Sequence, residues 1–225
     1  MRTRAAALTV GVGVVLAGCS GDGGGDNGVV DLEPDGILAE AEEAIDAAES
    51  ASIVGTGTIE GQTFDLDLTV GADSGVGVIG QNGAEFEITL VDGNAYMYGD
   101  AAAWEAMGAG AFAGLVADKF VQIPTDDPSF AEFAEFLDLN AMTSELLAPD
   151  GEVTKGEQTE IDGQSVIGLV DEDGSTLYIA TTGDPLPVQM TSPEGEEGTL
   201  DFEWDVEVEV TAPDESEIVD LAELF

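Results

Sequence analysis

The sequence has very few basic side chains and no histidine. Its 225 residues include 4 Lys and Arg, 48 Asp and Glu, and no His. Without histidine, Ser-His and Cys-His catalysis and histidine-ligated metal sites are excluded. A formal net charge of −44 repels the phosphates of nucleic acids, so we expect no nucleic-acid binding.

Cysteine is equally scarce, because Cys19 is the only one and no intramolecular disulfide can form. It follows a short positive segment with Arg2 and Arg4 and an uncharged apolar run over residues 5–18. This run is too short to cross the roughly 30 Å of a bilayer core as a helix. Its length and its flanking charges are typical of the hydrophobic region of a signal peptide.

The residues at the end of this run, Leu16-Ala17-Gly18-Cys19, have the lipobox pattern of an apolar residue, two small residues and a cysteine. We therefore predict that residues 1–18 are a lipoprotein signal peptide and that Cys19 is acylated. The alternative is an ordinary secretory signal followed by a chance cysteine. Acylation would hold the protein at the extracytoplasmic face of a cell membrane.

A glycine-rich segment, SGDGGGDNG, follows at residues 20–28 and is typical of a flexible linker. We assign residues 19–33 to a tether and 34–225 to a single folded domain. Removal of the signal peptide takes away Arg2 and Arg4, which changes the formal charge from −44 to −46. A surface this acidic is not attracted to anionic lipids, so membrane attachment would depend on the acyl group.

The acidic residues are spread along the whole domain, which favours a solvated acidic shell. The alternative is a surface that binds cations or a basic partner. Residues 171–175 (DEDGS) lack the full spacing of a calcium loop and are better explained as a hairpin turn. No carboxylate pair stands out for glycosidase chemistry. We expect no enzyme activity, no cofactor and no metal site.

Hydrophobic periodicity predicts helices and strands in alternating blocks. A first helix over 34–50 has Leu38, Ala41, Ile45 and Ala48 on one face and Asp35 as N-cap. A second helical region over 100–118 is broken near 108–110, another helix begins at Asp127, and a further one covers 140–147. Strands are predicted over 52–60, 63–70, 75–80, 85–91, 94–99, 152–161, 164–170, 175–181, 186–191 and 200–210.

About eight or nine of these strands are expected to be antiparallel with one apolar face, and the helices are also apolar on one side. The two layers must cover each other. The sequence therefore predicts an α+β fold, a curved antiparallel sheet (half-barrel) with helices packed in its concave face. We expect one domain and a monomer.

The order of lipobox, tether, first helix, strand meander, helical insert and second meander resembles the LppX/LprG-type lipoproteins of actinobacteria. These share a half-barrel fold with the LolA and LolB carriers. Local matches are the hairpin over 91–98, Ile161-Asp162-Gly163, Leu186-Pro187-Val188 and Phe202-Glu203-Trp204-Asp205. The resemblance implies a hydrophobic cavity between sheet and helices that binds or transports an acylated lipid.

The candidate walls of such a cavity are large apolar side chains on the predicted strands and helices: Phe64, Leu66, Leu68, Phe86, Ile88, Leu90, Trp104, Met107, Phe112, Phe133 and Trp204. Small residues over 101–114 would leave room beside them. The alternative is that Trp104 and the nearby phenylalanines fill the space. We predict a membrane-anchored lipoprotein that carries an apolar ligand; the alternative is an acidic interaction module with a filled core.

Overall fold

The computed structural model describes residues 25–59, 62–81, 83–123, 139, 143, 151–193 and 198–220. The predicted signal peptide, Cys19, Phe133 and the helix predicted from Asp127 lie outside these residues and stay predictions. Of the helix predicted over 140–147, Thr143 is described and has a helical backbone.

One face of a single large sheet carries the helices. The helices are α1 (Pro34–Ala47), α2 (Ala101–Ala106) and α3 (Ala113–Val116). The first six strands are β1 (Ser50–Ile59), β2 (Gln62–Gly71), β3 (Gly75–Gln81), β4 (Ala84–Val91), β5 (Asn94–Gly99) and β6 (Lys119–Ile123). The others are β7 (Thr154–Ile161), β8 (Gln164–Val170), β9 (Thr176–Ala180), β10 (Pro187–Thr191), β11 (Thr199–Trp204) and β12 (Ile218–Asp220).

Two antiparallel meanders, β1 to β6 and β7 to β11, meet where β1 pairs with β11. At this junction Ile53 lies between Leu68 on β2 and Phe202 on β11. The complete order is β12-β6-β5-β4-β3-β2-β1-β11-β10-β9-β8-β7. The sheet is open and curled, with helices on its concave face, and the predicted fold class is confirmed.

The strand prediction was wrong at the outer edge of the first meander. The described residues form twelve strands, two more than the ten segments predicted. Residues 119–123, taken as a connection between helices, form β6. The short β12 then pairs with β6 in parallel, with Val219 beside Val121, so the sheet is not wholly antiparallel.

The last predicted strand, 200–210, ends early at Trp204. Asp205 has a φ of 54°, in the left-handed region, and β11 ends before it, while the Asp205 N–H still donates to the Ser50 carbonyl oxygen. The alternation of the sequence continues through this irregular segment, where Val206 and Val208 are half-buried and Glu207 is exposed. Alternate residues of this segment are therefore partly buried although the segment is not paired as a strand.

The prediction for the start of α1 was also wrong, because Glu33 is the N-cap and not Asp35. Pro34 occupies the first helical position, where its missing N–H is not needed. The buried face consists of Ile37, Ala41 and Ile45. By contrast, the predicted break in the helical region after β5 is confirmed, since α2 and α3 are separate and Gly108 has a φ of 81°.

The core has three parts along the concave face. α1 packs on β8 and β9, and α2 and α3 pack on β4 to β6. Between them, side chains of β1, β2, β4 and β11 form a central cluster that includes Leu139. We call the concave face of β3, β2, β1, β11 and β10 the central groove.

On the convex face, strands that carry carboxylates alternate with strands that carry none. β4, β2 and β11 contribute two outward-facing acidic residues each, whereas the sequences of β3 and β1 contain no Asp or Glu. One cross-strand row accordingly reads Glu87, Val78, Asp67, Val54, Asp201. This spacing keeps like charges from lying directly opposite each other, where they are destabilising.

Val54 is 44% exposed between Asp67 and Asp201, so it tests this arrangement. We expect Val54→Asp to lower the free energy of unfolding by about 1 kcal/mol relative to Val54→Lys at low salt, because it adds two directly opposed like-charge pairs. High salt should reduce this difference in the free energy of unfolding between the two variants. Urea unfolding of both variants, with Val54→Thr as the uncharged control, measures the effect. Equal stabilities at low salt would contradict this account.

Candidate functional site

Burial decreases along the central groove towards one end of the sheet. On β2, Val70 and Leu68 are fully buried, whereas Leu66 and Phe64 are only partly buried. On β1, Ile53 is buried and Gly55 and Gly57 are half-buried. The groove is therefore packed at the end where β1 begins and less filled where β1 ends.

The less filled end has a mainly apolar lining, with the polar side chain of Gln81 opposite Phe64 at its border. Its members lie on four adjacent strands, and we call them the groove mouth: Gly57, Phe64, Leu66, Ile79 and Leu200. Gly57 lies opposite Phe64, while Leu66 lies opposite Ile79. None of these five residues can act as acid, base or nucleophile, so they offer apolar contact to a ligand.

Gly57 shows that the groove mouth contains unoccupied space. A β-carbon placed on Gly57 would have no heavy atom of the described residues within 4 Å apart from its chain neighbours. The same β-carbon on Gly77, further down the groove, would lie 2.7 Å from the Cα of Leu68. Among the described residues, the groove is thus open above Gly57, whereas Gly77 lies close against the neighbouring strand β2.

Four of the predicted wall residues are part of the packed core. Leu68 and Ile88 belong to the central cluster. Trp104 on α2 and Phe86 on β4 are buried against each other, with their ring centroids 5.3 Å apart in a T-shaped arrangement. The indole N–H of Trp104 donates a hydrogen bond of 3.1 Å to the carbonyl oxygen of Gly99.

The other described wall residues lie at the borders of these clusters or at the surface. Leu90 and Trp204 each contact two clusters, and the Trp204 indole N–H donates to the Pro187 carbonyl oxygen at 2.7 Å. Met107 and Phe112 are 46% and 38% exposed. Of the predicted walls, the structure therefore brings Phe64 and Leu66 together at the groove mouth.

Sequence reasoning missed Gly57, Ile79 and Leu200 as members of this site. Ile79 and Leu200 lie on strands that were predicted, and the alternation along each strand indicates which face of the sheet they are on. Their proximity to Phe64 depends on the register of β3, β1 and β11, which the sequence does not give. Gly57 was missed because the candidate wall residues were selected as large apolar side chains, and glycine has no side chain.

A second depression of about 500 Å³ lies at the opposite end of the sheet, lined by Asp73, Ser74, Val91, Asp92, Gly93, Val208 and Val210. Its rim is polar, and it is separate from the groove mouth. Among the described residues, no group of three or more His, Cys, Asp or Glu could hold a metal ion. No helix in the described ranges is long and apolar enough to span a bilayer.

This architecture is similar to the crystal structure of LprF from Mycobacterium bovis, with a TM-score of 0.51 and 15% sequence identity. The match covers 80% of this chain and 96% of LprF. The chain has the LprF fold. The resemblance to LppX/LprG-type lipoproteins predicted from the sequence is thus confirmed at the level of the fold.

This chain is also similar, with a lower TM-score, to the structure of an uncharacterized conserved protein from Thermus thermophilus. Its TM-score is 0.42 at 12% identity, and the match covers 83% of this chain and 98% of that protein. No protein-family model and no curated protein matches the sequence.

Proposed function

We propose that the protein is an extracytoplasmic lipoprotein, anchored through acylated Cys19, that binds or carries an acylated lipid in the central groove. The open apolar space above Gly57 is the observation that supports ligand binding most directly. The LprF fold supports a cell-envelope lipoprotein. The lipobox around Cys19 supports the anchor.

The apolar lining favours an acyl chain over a polar ligand. Burial of hydrocarbon contributes roughly 0.8 kcal/mol per methylene group, so about ten methylenes would supply roughly 8 kcal/mol. Binding of that strength corresponds to a micromolar dissociation constant. Because the lining residues have no groups for proton transfer or nucleophilic attack, we propose a binding role without catalysis.

Filling the open space should block the ligand while leaving the fold intact. In Gly57→Phe the new side chain would enter the groove mouth opposite Phe64. We expect the dissociation constant of a fluorescent fatty acid to rise at least about tenfold, since a loss of roughly 1.4 kcal/mol of burial produces that change. Fluorescence titration of the full-length protein measures it.

Gly57→Ala is the matched control, because it makes the same backbone change without filling the groove. We expect its affinity to stay within about twofold of the parent protein. Thermal unfolding should show little loss of stability in either variant, since a β-carbon at this position meets no neighbour. Parent-like fatty-acid affinity in Gly57→Phe would contradict a ligand site in the central groove.

A filled-core interaction module is the second candidate function, favoured by the alternating acidic strands of the convex face. The second function replaces the first if the parent protein binds no fatty acid but binds a basic protein in a pull-down, with binding that weakens steeply as salt is added.

A further inference from the structure

The segment between α2 and β6 is unlike the rest of the surface. Residues 106–117 read AMGAGAFAGLVA and contain no charged or polar side chain, in a chain with 48 acidic residues. Met107 and Leu115 in this segment are 46% and 55% exposed. We call residues 106–117 the apolar loop.

Packing against the sheet holds the apolar loop in a fixed orientation. Ala113 and Val116 are buried against β4 to β6, so Leu115 between them is presented outward. At the start of α2, the Ala103 N–H donates to the Asp100 carboxylate at 2.8 Å. At the other end, the Asp118 N–H donates to the Gly99 carbonyl oxygen.

The apolar loop lies at the same end of the sheet as the groove mouth. β5 ends and β6 begins at this end, which is also where β1 ends at Ile59 and β2 begins. The described part of the predicted tether is held at the opposite end, where Asp26 forms a bridge with Thr182 after the last residue of β9. An anchor at Cys19 therefore does not by itself bring the apolar loop to a membrane.

We propose that the apolar loop inserts into the surface of a phospholipid bilayer and so presents the groove mouth to lipid; this inference rests on the proposed function. Protruding apolar side chains enter the boundary between headgroups and acyl chains. Glu105 and Asp118 flank the loop and would stay at headgroup level. Because the rest of the domain is acidic, the favoured bilayer is zwitterionic.

The exposed area fits a bilayer better than a protein partner. Met107, Phe112 and Leu115 together expose roughly 300 Å², whereas a stable protein interface buries roughly 800 Å² on each partner. A protein partner, including a second copy of this chain, would have to cover the flanking carboxylates as well. Desolvation of unpaired carboxylates opposes such an interface.

The test uses full-length protein reconstituted in phosphatidylcholine vesicles, with an environment-sensitive fluorophore on Leu115→Cys. Thr56→Cys, exposed on the convex face, is the matched control site. Labelling of the unsubstituted protein reports any unacylated Cys19. We expect a blue shift and quenching by acyl-chain quenchers at position 115 but not at position 56.

Transfer kinetics separate this inference from the proposed function. In the double variant Met107→Ser and Leu115→Ser, transfer of a fluorescent fatty acid from vesicles should slow about tenfold, while its affinity in solution stays within about twofold. Intact affinity without any blue shift at position 115 would overturn the bilayer contact and leave the proposed function standing. A blue shift that needs no vesicles and grows with protein concentration would assign the loop to contact between copies, which also overturns it.

Discussion

Gly55→Val is expected to destabilise the protein by about 3 kcal/mol or more, because it disturbs the only junction between the two meanders in the described sheet. Gly55 has a φ of 149°, a value that residues with a β-carbon rarely adopt. A β-carbon there would overlap the Thr199 carbonyl oxygen and lie 2.9 Å from the carbonyl carbon of Thr199. β11 would therefore have to move away from β1.

Urea unfolding followed by circular dichroism measures this loss. Gly57→Ala, two residues further along the same strand, is the control, because its added methyl group meets open space. If Gly55→Val and Gly57→Ala unfold at similar urea concentrations, the close approach of β1 and β11 described above is wrong.

Trp104→Ala is expected to destabilise the protein by about 3 to 5 kcal/mol, the range for removing a large buried aromatic side chain. Trp104 is 8% exposed and contacts the edge of Phe86 beneath α2. The Gly99 carbonyl oxygen also accepts from the Asp118 N–H, so it keeps a partner when the indole is removed. Most of the loss should thus come from the cavity that the indole leaves.

Trp104→Phe separates packing from hydrogen bonding. It retains an aromatic ring beside Phe86 and removes the indole N–H, so we expect a smaller loss of about 1 to 2 kcal/mol. Thermal unfolding of the three proteins gives the comparison. Equal losses for Trp104→Ala and Trp104→Phe would show that the hydrogen bond, and not the packing of α2, dominates.

The strands that were predicted well from the sequence are those whose outer face is exposed to solvent and polar. Phe64 to Val70 alternates with acidic and Thr residues, and β2 was predicted within one residue at each end. β6 was missed because KFVQI is short and follows a helical region directly. β12 has three residues and pairs in parallel with a strand about a hundred positions earlier, which local periodicity does not reveal.

The candidate site was predictable only in part for a related reason. Alternation identified Phe64 and Leu66 as inward-facing, but the positions of Gly57 and Leu200 beside them depend on cross-strand register. Periodicity is also uninformative in α3, which has four residues. The exposure of Phe112 and Leu115 therefore emerged from the structure alone.

The central claim is that the space above Gly57 holds an acyl chain. Organic extraction of the purified full-length protein, followed by mass spectrometry, tests it most directly, because the acyl group proposed on Cys19 would be covalent and would stay with the protein. The account predicts about one extractable acylated lipid per parent molecule and a strong depletion in Gly57→Phe. Equal amounts of lipid in the two proteins, or none in the parent, would contradict it.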